Sequence, residues 1–195
     1  MQGLLLVISG PSGVGKGTIC RVLSQRLPNV YLSVSATTRA PRPGELDGKD
    51  YYFIDEPQFI KMINNNELLE WAKVYRYYYG TPRRPVFNAL DEGRHAVLEI
   101  DVQGGLQVKR RAPDAVLIFI VPPSQEELRC RLLKRNTDAA DEIEERLAWA
   151  SREMAALKEY DYAVINDRVE DAVAKIEAII TAEQCRVRRF ALKEE

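Results

Sequence analysis

Short runs of apolar residues alternate along the chain with segments in which apolar residues recur at helical spacing. Three runs cover Leu4 to Ile8, Ala96 to Ile100 and Ala115 to Val121, and Tyr162 to Ile165 is a plausible fourth. Continuous apolar runs of this length are typical of strands that are buried on both faces of a parallel sheet. We therefore predict buried parallel strands at these positions.

Helical patterns follow these runs. They extend over about Lys16 to Arg26, Gly105 to Arg111, Ser124 to Lys134 and Val169 to Val187. A strand followed by a helix, repeated along the chain, predicts an α/β fold with a parallel central sheet.

Two segments interrupt this alternation. Ser33 to Phe53 is rich in Thr, Pro, Gly and Tyr, which predicts short strands and turns. Arg135 to Arg146 is polar and densely charged, and it leads into a long predicted helix with a regular apolar face formed by Ile143, Leu147, Ala150, Met154 and Leu157. We expect both segments to be insertions at the edge of the sheet rather than separate domains.

The composition is that of a soluble globular domain. The 195 residues are 46% hydrophobic and 29% charged, and the net charge of −1 argues against a general nucleic-acid-binding protein, which needs a basic face. Three widely spaced cysteines fit no zinc or redox motif, which favours the reducing cytoplasm. The first apolar run is too short for a signal peptide or a membrane span.

A glycine-rich segment joins the first predicted strand to the first predicted helix. Glycines there permit tight turns that point backbone N–H groups at phosphate oxygens, and the lysine can reach the β- and γ-phosphates of a nucleotide. A chance glycine-rich turn is the alternative, which the flanking strand and helix disfavour. The proposed ATP-binding residues here are Gly10, Pro11, Ser12, Gly13, Val14, Gly15, Lys16, Gly17 and Thr18.

The loop departs from the usual pattern at one position. Ser or Thr normally follows the lysine and places its hydroxyl on Mg²⁺, whereas this chain has Gly17 and only then Thr18. We expect Mg²⁺ to accompany ATP, but its protein ligands stay open, with Thr18 and bridging waters as candidates.

Further motifs give the chain a specific resemblance. The segment Ser35 to Phe53 reads SATTRAPRPGELDGKDYYF, and it is followed by Leu69-Glu70-Trp71-Ala72, Tyr78-Tyr79-Gly80-Thr81 and Glu99-Ile-Asp101-Val-Gln-Gly104. With the phosphate loop, these motifs resemble the guanylate kinase family in order, from about Gly3 to the helix after Asn166. Agreement at several separated motifs is more specific than the loop alone.

The resemblance implies a P-loop NTPase-type parallel sheet of about five strands flanked by helices. It divides the single domain, 1–195, into a core of 1–34, 82–125 and 148–195, a β-rich GMP-binding region of 35–81 and a helical lid of 126–147. It implies transfer of the γ-phosphoryl group of ATP to GMP or dGMP in the cytoplasm, with Mg²⁺. Neither a nucleic acid nor a membrane is an expected partner.

Guanine recognition demands a particular set of groups. The base offers donors at N1 and the 2-amino group and acceptors at O6 and N7, so its pocket needs carboxylates and hydroxyls. By resemblance the carboxylates are Glu70 and Asp101, and the hydroxyls are Ser35 and Thr81. Adenine would present a lone pair to a carboxylate and would be rejected.

The phosphate of GMP carries about two negative charges and needs cationic donors. By resemblance Arg39, Arg42, Tyr51 and Tyr79 hold it. Without the resemblance, the two arginines would read as solvated turn residues. Arg76-Tyr77 stand where the family commonly has Gly-Asn, which bears on the turn that presents Tyr79.

Basic residues of the predicted lid complete the set. ATP and GMP bring about six negative charges together, and arginines that arrive on closure would stabilise them and exclude water. An exposed helix with i,i+4 ion pairs is the alternative. Asn136 replaces a glycine common in the family, and Asn166 matches a region that contacts adenine. The catalytic residues implied are Lys16, Arg39, Arg42, Arg131, Arg135 and Arg146.

Two other functions fit part of this pattern. Guanylate-kinase-like domains also occur as protein-binding modules that catalyse nothing, but these typically lack an intact phosphate loop. A kinase of the same fold could act on another phosphorylated small molecule, but such a substrate would not need Ser35, Glu70 and Thr81 together.

Overall fold

The computed structural model describes residues 3–74, 76–134 and 149–189. The strands are β1 Leu5–Ser9, β2 Val30–Leu32, β3 Ala36–Thr37, β4 Tyr52–Phe53, β5 Leu68–Val74, β6 Tyr77–Pro82, β7 His95–Glu99, β8 Val116–Val121 and β9 Tyr162–Ile165. The helices are α1 Lys16–Arg26, α2 Glu56–Asn64, α3 Arg83–Asp91, α4 Val102–Arg111, α5 Gln125–Lys134 and α6 Val169–Gln184.

A five-stranded parallel sheet forms the centre of the molecule, in the order β2-β7-β1-β8-β9. The four strands predicted from apolar runs are present, with ends that differ by about one residue. The fifth strand, β2, had no individual prediction, because a run of three residues is too short to stand out as a strand pattern. The α/β fold with a parallel sheet is therefore confirmed.

Helices cover both faces of this sheet because successive side chains of a strand point to opposite faces. Leu6 and Ile8 of β1 pack in a cluster with residues of α1 and α6, whereas Leu5 and Val7 pack with α3 and α4. All five residues of β1 are buried, since the strand lies in the middle of the sheet between two helical layers.

A second, mixed sheet of four strands has the order β4-β3-β6-β5. Its core consists of Ala36, Phe59 and Leu68, and Phe59 comes from α2, whose N-terminus is capped by Asp55. The short strands expected between Ser33 and Phe53 are present as β3 and β4. The sheet extends beyond that segment to Pro82 through β5 and β6, a longer antiparallel pair with its own polar and aromatic face.

The segment after α5 lies partly outside the described residues, including Arg135 to Arg146 and the predicted apolar positions Ile143 and Leu147. Residues 149–154 are helical, and a 3-10 turn follows at Ala155–Glu159. The predicted long helix therefore ends sooner than its apolar spacing suggested, and Leu157 belongs to the 3-10 turn. Within the described ranges, no helix is long and apolar enough to cross a membrane.

His95 is the only histidine of the chain and is buried at the start of β7. Its Nδ1 accepts a hydrogen bond from the backbone N–H of Leu4 at 3.0 Å, and the side chain of Gln184 lies 3.2 Å from its Nε2. Burial lowers the pKa of this imidazole. The ring therefore acts as a neutral acceptor that ties the residue before β1 to the sheet.

The state of His95 makes a test of stability possible. Between pH 7.5 and 5 the unfolded chain gains a proton on this histidine, but the folded chain cannot do so without losing the Leu4 bond. We expect the free-energy advantage of the wild type over His95→Leu, measured by urea unfolding, to shrink over this range by about 1 kcal/mol. An advantage that stays constant with pH would contradict this role.

Candidate active site

The glycine-rich loop lies at the carboxyl end of β1, where it turns into α1. Gly15 is the residue before the helix and has φ 97°, a backbone conformation that side chains disfavour. A Cβ atom at this position would also lie 2.6 Å from Nδ2 of Asn166. The loop is thus held against the end of another strand and leads directly into the N-terminus of α1, a position where anions bind.

Lys16 is the first residue of α1, and its side chain folds back over the loop that precedes the helix. Its Nζ donates hydrogen bonds to the carbonyl oxygens of Gly10 at 2.5 Å and Pro11 at 3.2 Å. Burial lowers the pKa of its ammonium group, and Glu153, Glu99 and Asp101 oppose that effect. Without nucleotide, the cation is therefore stabilised by the loop itself and by the acidic groups around it.

Asn166 and Arg131 both bind the carbonyl oxygen of Val14, at the centre of the loop. Nδ2 of Asn166 donates to it at 2.7 Å and Nη1 of Arg131 at 3.4 Å, and the same Nη1 donates to the carbonyl of Asn166 at 3.1 Å. Arg131 also forms the i,i+4 pair with Glu127 that the ion-pair alternative expected, at 2.8 Å. Arg131 therefore combines the expected ion pair with a contact to the phosphate loop, and its part in catalysis stays a prediction.

Glu153 is a site residue for which the sequence offered no signal. Its carboxylate accepts a hydrogen bond from the backbone N–H of Ser12 and faces Lys16, and burial raises the pKa of this carboxyl group. An acidic residue beside an apolar helix stripe usually lies in solvent, so only the structure reveals that this one reaches the phosphate loop.

Two carboxylates meet where β5 approaches the start of α4. Glu70 is 3% exposed, and its Oε1 accepts a hydrogen bond of 2.6 Å from the hydroxyl of Thr81, which is also buried. Asp101 is the N-cap of α4 and accepts from the N–H of Gly104 at 2.7 Å. A Cβ atom on Gly104 would lie 3.0 Å from Cδ of Glu70 and 3.2 Å from Oδ1 of Asp101, so both acids border this glycine.

The charge of Glu70 is held in an unfavourable environment. Burial raises its pKa to about 7, with Asp101 adding to the rise, while the bonds from Thr81 oppose it. Burial also raises the pKa of Asp101. Each carboxylate accepts hydrogen bonds from the protein and has capacity for more, so the two buried acids form a site suited to a ligand edge that carries several N–H groups.

A cationic and aromatic cluster lies in the second sheet. The guanidinium of Arg39 donates to Oε1 of Glu45 at 2.8 Å and lies 5.5 Å from the centre of the Tyr51 ring. The Tyr51 ring packs edge-on against Tyr79 with 6.0 Å between centres, and burial raises the pKa of Tyr51 to about 12. Glu45 was not predicted, yet it is the anion that Arg39 binds here.

The remaining predicted residues occupy varied positions. Ser35 is buried just before β3, in the sheet that also contains Glu70. Arg42 is exposed, and its backbone N–H donates a hydrogen bond of 2.7 Å to Glu45. Thr18 is exposed on the first turn of α1. Arg135, Asn136 and Arg146 lie outside the described residues.

Gly17 lies beside a carboxylate that fits a role in holding a metal ion. A Cβ atom there would lie 3.3 Å and 3.4 Å from the two carboxylate oxygens of Glu99, at the end of β7. The part of the chain that the structure describes holds no cluster of three or more His, Cys, Asp or Glu that could bind a metal unaided. One carboxylate beside a phosphate loop fits Mg²⁺, which keeps waters and substrate phosphates as its other ligands.

Comparisons with known proteins agree with this geometry. The family profile described as Guanylate kinase matches residues 2–183. A guanylate kinase of Caldanaerobacter subterraneus subsp. tengcongensis is 56% identical over 96% of this chain and 91% of its own length, and one of Clostridium perfringens is 52% identical over 97% and 88%. The crystal structure of guanylate kinase from Anaplasma phagocytophilum superposes with a TM-score of 0.81 at 37% identity, over 96% of this chain and 89% of that one.

The raised pKa of Glu70 predicts that this residue destabilises the fold. Above pH 7 the folded state holds a buried charge, whereas the unfolded carboxylate ionises freely near pH 4.3, so stability falls as pH rises between these values. We expect Glu70→Gln, which keeps an acceptor for Thr81, to raise the free energy of unfolding at pH 8 by about 2–3 kcal/mol.

The pH dependence of this gain is the decisive part of the measurement. By urea unfolding at pH 4, the difference between Glu70→Gln and the wild type should nearly vanish, because the Glu70 carboxyl group is then largely protonated in the folded and the unfolded state. The exposed Glu67, three residues earlier, provides the control as Glu67→Gln. A gain of equal size at both pH values would show that the charge is not the cause.

Proposed function

The chain belongs to the guanylate kinase family, and on this premise we propose how its residues divide the work of binding and transfer. The protein is an ATP:GMP phosphotransferase: it moves the γ-phosphoryl group of ATP to GMP and yields ADP and GDP. An oxygen of the GMP phosphate forms a bond to the γ-phosphorus as the bond to the β-phosphate oxygen breaks. No protein nucleophile is needed, so catalysis consists of positioning and charge stabilisation.

We assign the reading of guanine to the pair Glu70 and Asp101, with Thr81 and Ser35 as the hydroxyl partners. The observation that carries this assignment is the buried Glu70 carboxylate, which borders Asp101 across Gly104 and has only a hydroxyl as its side-chain donor. The N1–H and 2-amino groups of guanine supply the donors that these acids lack. Adenine would leave a buried carboxylate facing a lone pair, which costs several kcal/mol.

The GMP phosphate is assigned to Arg39, Arg42, Tyr51 and Tyr79. Arg39 supports this because its side chain is already held over the Tyr51 ring while it binds Glu45. A phosphate of charge about −2 is a stronger partner for a guanidinium than a carboxylate is. We propose that the GMP phosphate replaces the Glu45 carboxylate as the partner of the Arg39 guanidinium, which then moves little.

ATP is assigned to the residues from Gly10 to Thr18 and to Asn166. The side-chain Oδ1 of Asn166 is buried and has no hydrogen-bond partner among the described residues, and the 6-amino group of adenine is a suitable donor for it. Lys16 leaves its carbonyl partners to bind the phosphates, and Arg131 approaches from α5. Arg135 and Arg146 stay predictions.

Mg²⁺ is the cofactor we propose, carried mainly by the phosphates of ATP and by water. Because position 17 is a glycine, the Ser or Thr hydroxyl that usually binds the ion is missing. We assign to the ion two other protein oxygens, from the carboxylate of Glu99 and the hydroxyl of Thr18. When bound, Mg²⁺ neutralises charge on the phosphates that react. We further propose that the reaction serves purine nucleotide metabolism in the cytoplasm, with dGMP as a second acceptor, and the three free cysteines support a reducing compartment.

The acceptor base is the sharpest test of the guanine assignment. In an ADP-release assay with ATP and GMP, IMP, AMP, UMP or dTMP, we expect GMP to have by far the highest kcat/KM. Glu70→Gln replaces one acceptor oxygen by a donor, so kcat/KM for GMP should fall by the equivalent of about 2–4 kcal/mol.

The profile for the other bases completes that test. The ratio of kcat/KM for GMP to that for AMP should fall in Glu70→Gln. The substitution removes a contact that only guanine makes, so the use of AMP is not weakened by it. Unchanged use of GMP by this variant would mean that the base is read elsewhere.

The pKa of Glu70 also predicts how GMP binding depends on pH. The guanine donors need the ionised carboxylate, and about half of it is protonated near pH 7 in the free protein. KM for GMP should therefore rise as pH falls from 8 to 6, by roughly tenfold. Because the GMP phosphate also titrates near pH 6, Glu70→Gln is the matched control and should show only that smaller dependence.

A further inference from the structure

One face of helix α4 contacts strand β5 along its whole length. Asp101, Gly104, Gln107 and Arg111 follow one another at intervals of three or four residues, which places them on the same side of a helix. Asp101 and Gly104 lie beside the Glu70 carboxylate. The other two residues bind the backbone of the strand that carries Glu70.

Gln107 binds the outer edge of β5 next to Glu70. Its Nε2 donates to the carbonyl oxygen of Trp71 at 2.7 Å, and its Oε1 lies 3.4 Å from the backbone nitrogen of the same residue and accepts from it. A neighbouring strand would supply this pair of bonds, which here come from a side-chain amide. The other edge of β5 is paired with β6, so the strand is held from both sides.

Arg111 binds β5 at an irregular point. Its Nη1 donates to the carbonyl oxygens of Leu69 at 2.7 Å and Leu68 at 3.3 Å. The register of β5 against β6 shifts between Leu68 and Glu70, which marks a bulge. A bulge redirects the next side chain, and here that side chain is Glu70, which is buried directly after Leu68 and Leu69.

The two base-reading acids thus stand on different elements, Glu70 on β5 and Asp101 at the start of α4. We propose that Gln107, together with Arg111, is a positioning residue for guanine recognition, which fixes the Glu70 carboxylate at a set separation from that of Asp101. The proposal rests on the function proposed above, in which these two acids read the base. A displacement of about 1 Å between them would cost much of the binding geometry.

A purely structural role would have different consequences. Side chains that cover the edge of a sheet protect its backbone groups from solvent, and their loss lowers stability. That loss would affect all substrates alike. A positioning role must change the choice of base, because only the 2-amino and N1–H contacts depend on where the two acids lie.

The experiment uses the full chain and three single substitutions to methionine on α4. Gln107→Met and Arg111→Met remove the bonds to β5 with little change in length. Arg110→Met is the matched control, since Arg110 is exposed on the same helix and lies beside β5, but forms no hydrogen bond with that strand among the described residues. Steady-state kinetics with ATP and either GMP or IMP, which lacks the 2-amino group, give the readout, and thermal unfolding checks the fold.

We expect kcat/KM for GMP to fall by roughly ten- to a hundredfold in Gln107→Met, mostly through KM, and less for IMP, so that the GMP-over-IMP ratio falls. KM for ATP should stay within about twofold of the wild type. Arg111→Lys, which keeps one donor, should recover part of the ratio that Arg111→Met loses. Arg110→Met should behave as the wild type.

Other outcomes distinguish a failure of the positioning role from a failure of the proposed function. An unchanged GMP-over-IMP ratio in a folded Gln107→Met protein overturns the positioning role, even if the variant melts at a lower temperature. If the wild type itself shows no preference for GMP, the function assigned to Glu70 and Asp101 fails first. If Gln107→Met does not fold, the ratios of Arg111→Met and Arg111→Lys decide.

Discussion

The withdrawal of one carboxylate from water is the constraint on which the acceptor site depends. Glu70 is almost fully buried, with the hydroxyl of Thr81 bonded to one oxygen and the backbone around Gly104 close to the other. An ionised acid in such a place is unstable unless a ligand brings it donors. Burial therefore raises the pKa of this carboxyl group to about 7, and in the function proposed above the N–H groups of guanine would stabilise its ionised form. Specificity and instability have the same origin here.

Without substrates, the charged groups of the site bind one another. Glu45 occupies Arg39, and the carboxylate of Glu153 occupies the N–H of Ser12 beside Lys16. Carboxylates thus stand where phosphate oxygens are proposed to bind. Such internal partners keep arginine and lysine side chains ordered, and they reduce the entropy lost when a nucleotide replaces them. They also shield the cations from unrelated anions.

Much of the fold could be predicted from the chain because its central strands are continuous apolar runs and its phosphate loop lies between a strand and a helix. The strand β2 escaped prediction because its apolar run is only three residues long. Long-range contacts escaped as well. Glu153 reaches the backbone N–H of Ser12 from a distant part of the chain. The contact of Glu45 with Arg39 is local, but it depends on the turn between them, which the spacing alone does not indicate. Likewise, the resemblance indicated Glu70 and Asp101. Only the structure reveals the bulge in β5 and the contacts of α4 that are proposed to position the Glu70 side chain.

The stripe along α4 has a consequence for how the enzyme can change over time. Gly104 borders the Glu70 side chain, and Gln107 and Arg111 bind the backbone of β5, whereas Arg110 on the same helix forms no hydrogen bond with that strand among the described residues. Substitutions should accumulate on the solvent side of this helix and be purged from the other side. On the role proposed for Gln107 and Arg111, a change of nucleobase preference would involve residues of the stripe as well as Glu70, so the helix and the strand should vary together.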